Sequence, residues 1–420
     1  MTGTAIAAAS GLLLFAYLVD ILGRRFRLPS VVLLIVTGIV ARQLLDRAGL
    51  HLGWVDPVVP VIGTVGLILI VLEGALDLDV TRDRLALIVG SALSSTLGFV
   101  ASLAAITLLL ALVLGLPTAT AVLGALPFAV ISSAVAIPSA AGLPPHAREF
   151  VVYESSLSDI LGVLVFYAWL GADGSLSTFA AELLGGGAVS VVAALFAAVG
   201  LYVLINRIEG HVRFLPMLAG IVLLYALGKE VHLSPLVLVL VCGLLLNNPH
   251  LLRRVPRIHA MRHPEYDQTL KEFKGLVAEL TFATKSFFFL LLGYWTDLAE
   301  MRNGRAWLLA AGMVASIYAT RWVLLKLLRQ GEADRLVWIA PRGLITVLLL
   351  LAAFESGALH SFPFGTVMLV VLATSALTAL AHRGAGATAA TAMPEPALPV
   401  SAGEAGAAVA DALPGTNRSP

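Results

Sequence analysis

The sequence predicts an all-helical polytopic membrane protein with about thirteen transmembrane helices, and three observations carry that prediction. First, 59% of the 420 residues are hydrophobic and only 13% are charged, against about 25% charged in an ordinary soluble domain. Second, apolar windows long enough for a bilayer recur along the chain, separated by charge clusters, Gly and Pro. Third, the polar residues inside those windows are few and grouped, as expected where they serve a site rather than a surface. The mean hydropathy of +0.94 excludes a globular protein with a large core. A net charge of +1 without a basic tract gives no footing for nucleic acid. Cys242 is the only cysteine, which excludes an intrachain disulfide.

In order, the predicted spans are 4–22, 30–45, 58–76, 86–115, 118–142, 149–170, 186–206, 214–228, 233–247, 280–296, 305–328, 335–355 and 363–382. The first lacks a positive leader and a small-residue cleavage site, so it reads as a span and not a signal peptide. The segment 248–279 carries Arg253, Arg254, Arg257, Arg262, Lys271 and Lys274 and reads as an interfacial amphipathic linker. Thirteen spans sort the loop Lys and Arg into eighteen on one side, including Arg24, Arg25, Arg27 and the linker, and five on the other, namely Arg42, Arg47, Lys229, Arg302 and Arg305. The positive-inside rule then places the N-terminus outside and the C-terminus in the cytoplasm of a cell membrane. Residues 383–420, rich in Ala, Pro and Gly, read as a disordered cytoplasmic tail.

The chain repeats itself. Residues 28–40 lie over 233–245, and Glu73-Gly74-Ala75-Leu76-Asp77-Leu78 lies over Gly293-Tyr294-Trp295-Thr296-Asp297-Leu298. Six spans from residue 4 match six from residue 214, with 186–206 left over as a linker. One intervening span makes the two copies enter the membrane in opposite directions, the inverted repeat of transporters that alternate access around a midplane site.

The candidate site follows from the buried polar residues. Span 118–142 holds Pro127, Ser132, Ser133 and Pro138. Proline removes a backbone donor and breaks a helix, and two half-helices meeting near Ser132 and Ser133 offer backbone oxygens and hydroxyls to a small cation. Its repeat mate 335–355 holds Pro341, Arg342, Gly343 and Thr346 near its cytoplasmic end, where Arg342 reads as interfacial and structural. The next span carries Glu154, Ser155, Ser158 and Asp159. A carboxylate at bilayer depth costs about 2.5–3.5 kcal/mol even on lenient insertion scales and is a functional-site hypothesis by default. The two acids lie about 140° apart around a helix, so they take different partners. Arg321, deep in span 305–328, needs a counter-charge, and Glu154 is the natural one. Asp159 is left to be neutralised by a proton or by a cation in turn, which is the competition an exchanger needs. In the alternative reading Asp159 pairs with Lys285 or Arg321 and is structural. Lys285 either approaches the site or snorkels to the interface. Glu73 closes the third span, where it serves as a gate or in packing. The histidines, including His146, His211 and His232, show no ligand spacing, so no metal beyond a monovalent cation on Asp159 and no cofactor is expected.

Taken together, Arg27-Leu28-Pro29-Ser30 with Gly38, Glu73-Gly74-Ala75-Leu76-Asp77, Glu154-Ser155-x-x-Ser158-Asp159, Phe287-Phe288-Phe289 with Gly293, Arg321, and Pro341-Arg342-Gly343-Leu344 resemble the monovalent cation:proton antiporter superfamily, the sodium/proton exchanger type. The likeness covers residues 10–382. It implies a homodimer whose dimerisation part is 1–80 and 214–298, and a mobile core of 86–170 and 305–382 crossed by two interrupted helices. It implies that Asp159 carries the ion and proton, that Ser155 and the break at Ser132 and Ser133 add ligands with Ser158 beside them, and that Glu154 and Arg321 are the family's buried ion pair. Two positions depart from the pattern. Ser158 stands where the electroneutral branch has Asn, and Ser132-Ser133-Ala134 stands where exchangers have Thr-Asp, resembling the Ser-Ser-Thr of potassium-efflux relatives. The resulting expectation is no enzyme but an electroneutral 1:1 antiporter of Na⁺ or K⁺ against H⁺ in the cell membrane. The alternatives are a channel-like potassium efflux pathway and a non-transporting sensor or scaffold. An intramembrane aspartyl protease is set aside, because two aspartates must share a proton in that chemistry and Asp159 has no second mid-membrane Asp.

Overall fold

A computed structural model describes residues 2–382 apart from 27–28, 50–54, 173–174, 208–213, 232, 234, 255–265, 329, 358 and 360–361. The predicted tail from residue 383 lies outside the described residues, as do Arg257 and Arg262 of the linker. Among the described residues the chain is helical, without strands. The helices are α1 (Thr2–Phe26), α2 (Ser30–Arg47), α3 (Val55–Asp77), α4 (Leu85–Leu114), α5 (Thr118–Ala129), α6 (Ser133–Ser139) and α7 (Pro145–Gly171). After α8 (Leu176–Ala181) a π-turn over Glu182–Gly186 leads into α9 (Gly187–Arg207), followed by α10 (Phe214–Glu230) and α11 (Pro235–Asn247). The remainder is α12 (Tyr266–Trp295), α13 (Leu298–Met301), α14 (Gly304–Leu327), α15 (Ala333–Leu336), α16 (Leu344–Glu355) and α17 (Phe364–Leu377). Among the described residues eight stretches are long and apolar enough to cross a membrane, and the shorter apolar helices include α11 and α16.

Each predicted span falls on a helix, with one boundary corrected. The sequence placed 248–279 outside the membrane as a linker, yet α12 begins at Tyr266, so Lys271 and Lys274 sit on a continuous 30-residue helix. Tyr266, Leu270, Phe273 and Val277 are buried at spacings of three and four and carry the helix through its charges. Tyr266 also donates its hydroxyl to the Leu246 carbonyl at 2.7 Å. The charges on the opposite face masked this apolar stripe from a window average.

Large apolar side chains left exposed, such as Leu93, Leu97, Leu108 and Leu112 on α4 and Trp307, Leu308 and Trp322 on α14, form the outward faces that a bilayer covers. The inner faces pack α12 on α2 and α3, α11 on α3 and α9, and α4 on α5, α7 and α14. Two glycine crossings reproduce the internal repeat. Gly38 of α2 and Gly293 of α12 meet so closely that a Cβ on Gly293 would fall on the Ile35 carbonyl, and one on Gly38 on the Leu290 carbonyl. At the equivalent place in the other pairing, Gly243 of α11 lies against Leu72 and Ala75 of α3, with its Cβ position 2.8 Å from the Ala75 Cβ. Gly63 of α3 faces Phe288 of α12 while Gly66 faces Thr284, so α3 and α12 run antiparallel. A two-fold axis across the helices, as an inverted repeat requires, produces these swapped and antiparallel partnerships.

Candidate functional site

The two broken helices meet at their breaks. Between α5 and α6, Val130 and Ser132 are extended, at ψ 133° and 115°. Pro127 and Pro138 inside the flanking helices each withhold a backbone donor. The break frees three successive amides, and each finds a different partner. Ile131 N–H donates to Ser158 Oγ at 2.9 Å, Ser132 N–H to the Pro341 carbonyl at 3.0 Å, and Ser133 N–H to Asp159 Oδ2 at 3.2 Å. The Pro341 bond ties the first break to the second, an extended stretch ending at Gly343 ahead of α16. Gly162 on α7 makes room for this, because a Cβ there would strike the Val130 side chain.

At bilayer depth the freed carbonyls need donors as much as the amides need acceptors. Arg342 supplies one: its Nε donates to the Phe128 carbonyl at the end of α5 at 2.6 Å, and one terminal nitrogen to the Ala340 carbonyl at 2.9 Å. This corrects the interfacial placement expected for Arg342, which is 1% exposed. α16 starts only at Leu344, so the chain before it runs inward to the crossing and takes Arg342 along. Arg321 does the same for the other broken helix, donating Nε to the Leu336 carbonyl at the end of α15 at 2.9 Å. Its two terminal nitrogens then grip Glu154, at 3.1 Å to Oε1 and 2.9 Å to Oε2, and Ser94 of α4 donates to Glu154 Oε1 at 2.7 Å. The fork geometry matches guanidinium to carboxylate and leaves the pair internally neutral.

Asp159 is differently placed. It is 5% exposed, and among the described residues no hydrogen-bond partner reaches its Oδ1. The hydroxyls of Ser132 and Ser156 are buried and unpartnered in the same way. Buried oxygens without donors are rare enough in folded proteins to need a reason. A small cation or a proton, each electron-poor, suits an acceptor of this kind.

The other nominated residues fall around this centre. Ser155 donates to the Val151 carbonyl at 2.7 Å, which leaves its lone pairs free. Ser133 meets Asp159 through its amide, and Ser158 supports the break at Ile131. Lys285 on α12 and Glu73 of α3 are both half-buried and within electrostatic range of each other. The next residue of α3, Gly74, faces the Ser156 hydroxyl. Sequence reasoning missed Ser94 and Ser156. Both sit in apolar spans, Ser94 within a run of buried serines with Ser91 and Ser95, and that run of hydroxyls was the available signal. It also missed Thr374, whose Oγ1 accepts from Arg342 N–H at 2.9 Å.

Solved structures of the sodium proton antiporter MjNhaP1 from Methanocaldococcus jannaschii have the same fold. The structure at pH 8 matches with a TM-score of 0.67 and 18% identity, covering 92% of this chain and 97% of that one. An electron-microscopy map of that antiporter matches at 0.70 and 19%, covering 94% and 100%. No curated protein matches the chain. The model of the family described as sodium/hydrogen exchanger, transmembrane, matches residues 11–383. That match spans every helix described above apart from the first turns of α1, and the chain belongs to the sodium/hydrogen exchanger family.

Proposed function

We propose that the protein exchanges a monovalent cation, Na⁺ or K⁺, for H⁺ across the cell membrane, with Asp159 as the group that carries one or the other. The observation that supports this is the contrast between two buried carboxylates five residues apart. Glu154 has all of its charge answered by Arg321, whereas Asp159 has one oxygen held by Ser133 N–H and the other free. A carboxylate so placed is stable only with a partner of opposite charge or with a proton, so the two compete for one seat. Ser155 and Ser132 and Ser133 at the break complete the ligand set, with Ser158 holding the break in register. The Glu154–Arg321 pair is neutral by itself, and Arg342 spends its donors on the backbone carbonyls of the crossing. Lys285 and Glu73 stand where the core approaches α3 and α12, as gate or support.

In this reading α4–α7 and α14–α17 form a core that moves against a scaffold of α1–α3 and α10–α12, which also forms the homodimer. The N-terminus lies outside and the C-terminus in the cytoplasm, as the loop charges sort. The test is a ΔpH assay in everted membrane vesicles with Na⁺, K⁺ and Li⁺ added in turn, wild type beside Asp159→Asn. Wild type dissipates the gradient with at least one cation, and Asp159→Asn with none. Retained exchange in Asp159→Asn removes this mechanism, and the cation that works best settles whether the hydroxyl-only break selects K⁺ over Na⁺.

A further inference from the structure

The loop between α3 and α4 is bound from two sides. On one side, the end of α11 and the turn after it grasp its backbone. Asn248, fully buried, donates Nδ2 to the Leu78 carbonyl at 2.8 Å and accepts Val80 N–H on its Oδ1 at 2.8 Å. Asn247 Nδ2 adds a second donor to the Leu78 carbonyl at 2.9 Å, and His250 Nε2 lies 2.8 Å from the Val80 oxygen. With Gly243 seated on Leu72 and Ala75, α3, its loop and α11 behave as one body. On the other side α7 reaches in. Tyr153 of α7 donates its hydroxyl to the Asp79 carbonyl at 2.8 Å. Tyr153 precedes Glu154, so the helix that carries Glu154 and Asp159 is fastened by this buried O–H bond to a loop that α11 holds, with a longer, half-exposed ion pair from Glu149 to Arg84 at 3.9 Å beside it.

We infer that Tyr153 is a positioning residue that latches the ion-carrying helix to the scaffold at the Asp79 carbonyl, and that Asn248 is its anchor, the bond being made in this conformation and broken in each transport cycle. The inference rests on the proposed motion of core against scaffold. A hydroxyl on a backbone carbonyl suits the task. It is directional, and one neutral hydrogen bond biases a two-state equilibrium several-fold without locking it.

The test uses Ser156, which is buried on α7 opposite Gly74 of α3 and becomes reachable only when the two part. Ser156→Cys in a Cys242→Ala background gives a single thiol, whose reaction rate with a maleimide is followed in membrane vesicles of the full chain. Adding Tyr153→Phe raises that rate roughly three- to tenfold, the size of one neutral hydrogen bond. Asn248→Ala, which frees the loop and keeps the tyrosine, raises it likewise. Tyr318→Phe is the control. Its hydroxyl reaches only the Trp338 and Thr374 carbonyls within the core, at 3.5 and 3.3 Å, so its loss lowers thermal stability and leaves labelling unchanged. Labelling unchanged in folded Tyr153→Phe, or raised equally by Tyr318→Phe, overturns the latch. The Asp159→Asn assay tests the carrier separately, so either idea can fail while the other stands.

Discussion

Arg321 and Arg342 answer the same need at two places. Each is buried, and each gives its Nε to the last carbonyls of a half-helix, at Leu336 and Phe128. They differ in what else they hold, since among the described residues Arg321 forks onto Glu154 while the Arg342 guanidinium donates to carbonyls alone. The pairing has a thermodynamic consequence. Glu154→Gln strands a buried guanidinium charge and is expected to cost about 3–5 kcal/mol, read as a lowered unfolding temperature in detergent. Glu154→Gln combined with Arg321→Gln costs less than the sum of the two single changes, because neither charge is left alone. Ser94→Ala removes one bond to a charged group and costs about 1.5–3 kcal/mol. A Glu154→Gln protein as stable as its parent would contradict the pairing. Glu154 with Arg321 was legible in the sequence because a charge in an apolar span demands a counter-charge and few were on offer. The inward position of Arg342 was not, since backbone carbonyls leave no mark in a sequence.

At the scale of helices, glycine decides where backbones touch. α12 contains a matched pair for testing this. Gly293 has no room for a methyl group beside Ile35, whereas nothing lies within 4 Å of a Cβ at Gly275. Gly275→Ala is therefore expected to be neutral or to stabilise by up to about 1 kcal/mol, through helix propensity alone. Gly293→Ala forces α2 and α12 apart and costs about 1–3 kcal/mol or more, measured in the same unfolding assay. Equal effects at the two positions would mean that the α2–α12 crossing is looser than described. The crossing was half legible in the sequence. The repeat aligned Gly38 with Gly243, but not which helix each glycine faces.

For the whole molecule, one free carboxylate fixes the expected stoichiometry. If Asp159 is the only exchangeable group, each half-cycle moves one positive charge, and the exchange is 1:1 and electroneutral. Exchange in proteoliposomes should then be indifferent to membrane potential when both ion gradients are clamped. A rate that follows the imposed potential would require a second titrating group. Of the two buried acids of α7, Glu154 is engaged by Arg321, while Asp159 keeps one oxygen without a hydrogen-bond partner among the described residues.

The sequence by itself determined the all-helical membrane fold, the order of its spans, the place of the first break and the two buried acids of α7. These are local properties, set by hydrophobic length, by proline, and by the cost of a charge in hydrocarbon, so they can be read without a fold. Only the tertiary structure decided which group answers which. Ser133 N–H goes to Asp159, Pro341 bridges the breaks, Phe128 takes Arg342, and Tyr153 reaches the Asp79 carbonyl. Most of these partners are backbone atoms that every residue possesses. Their pairing depends on how helices far apart in the chain come to lie together, and packing alone sets that.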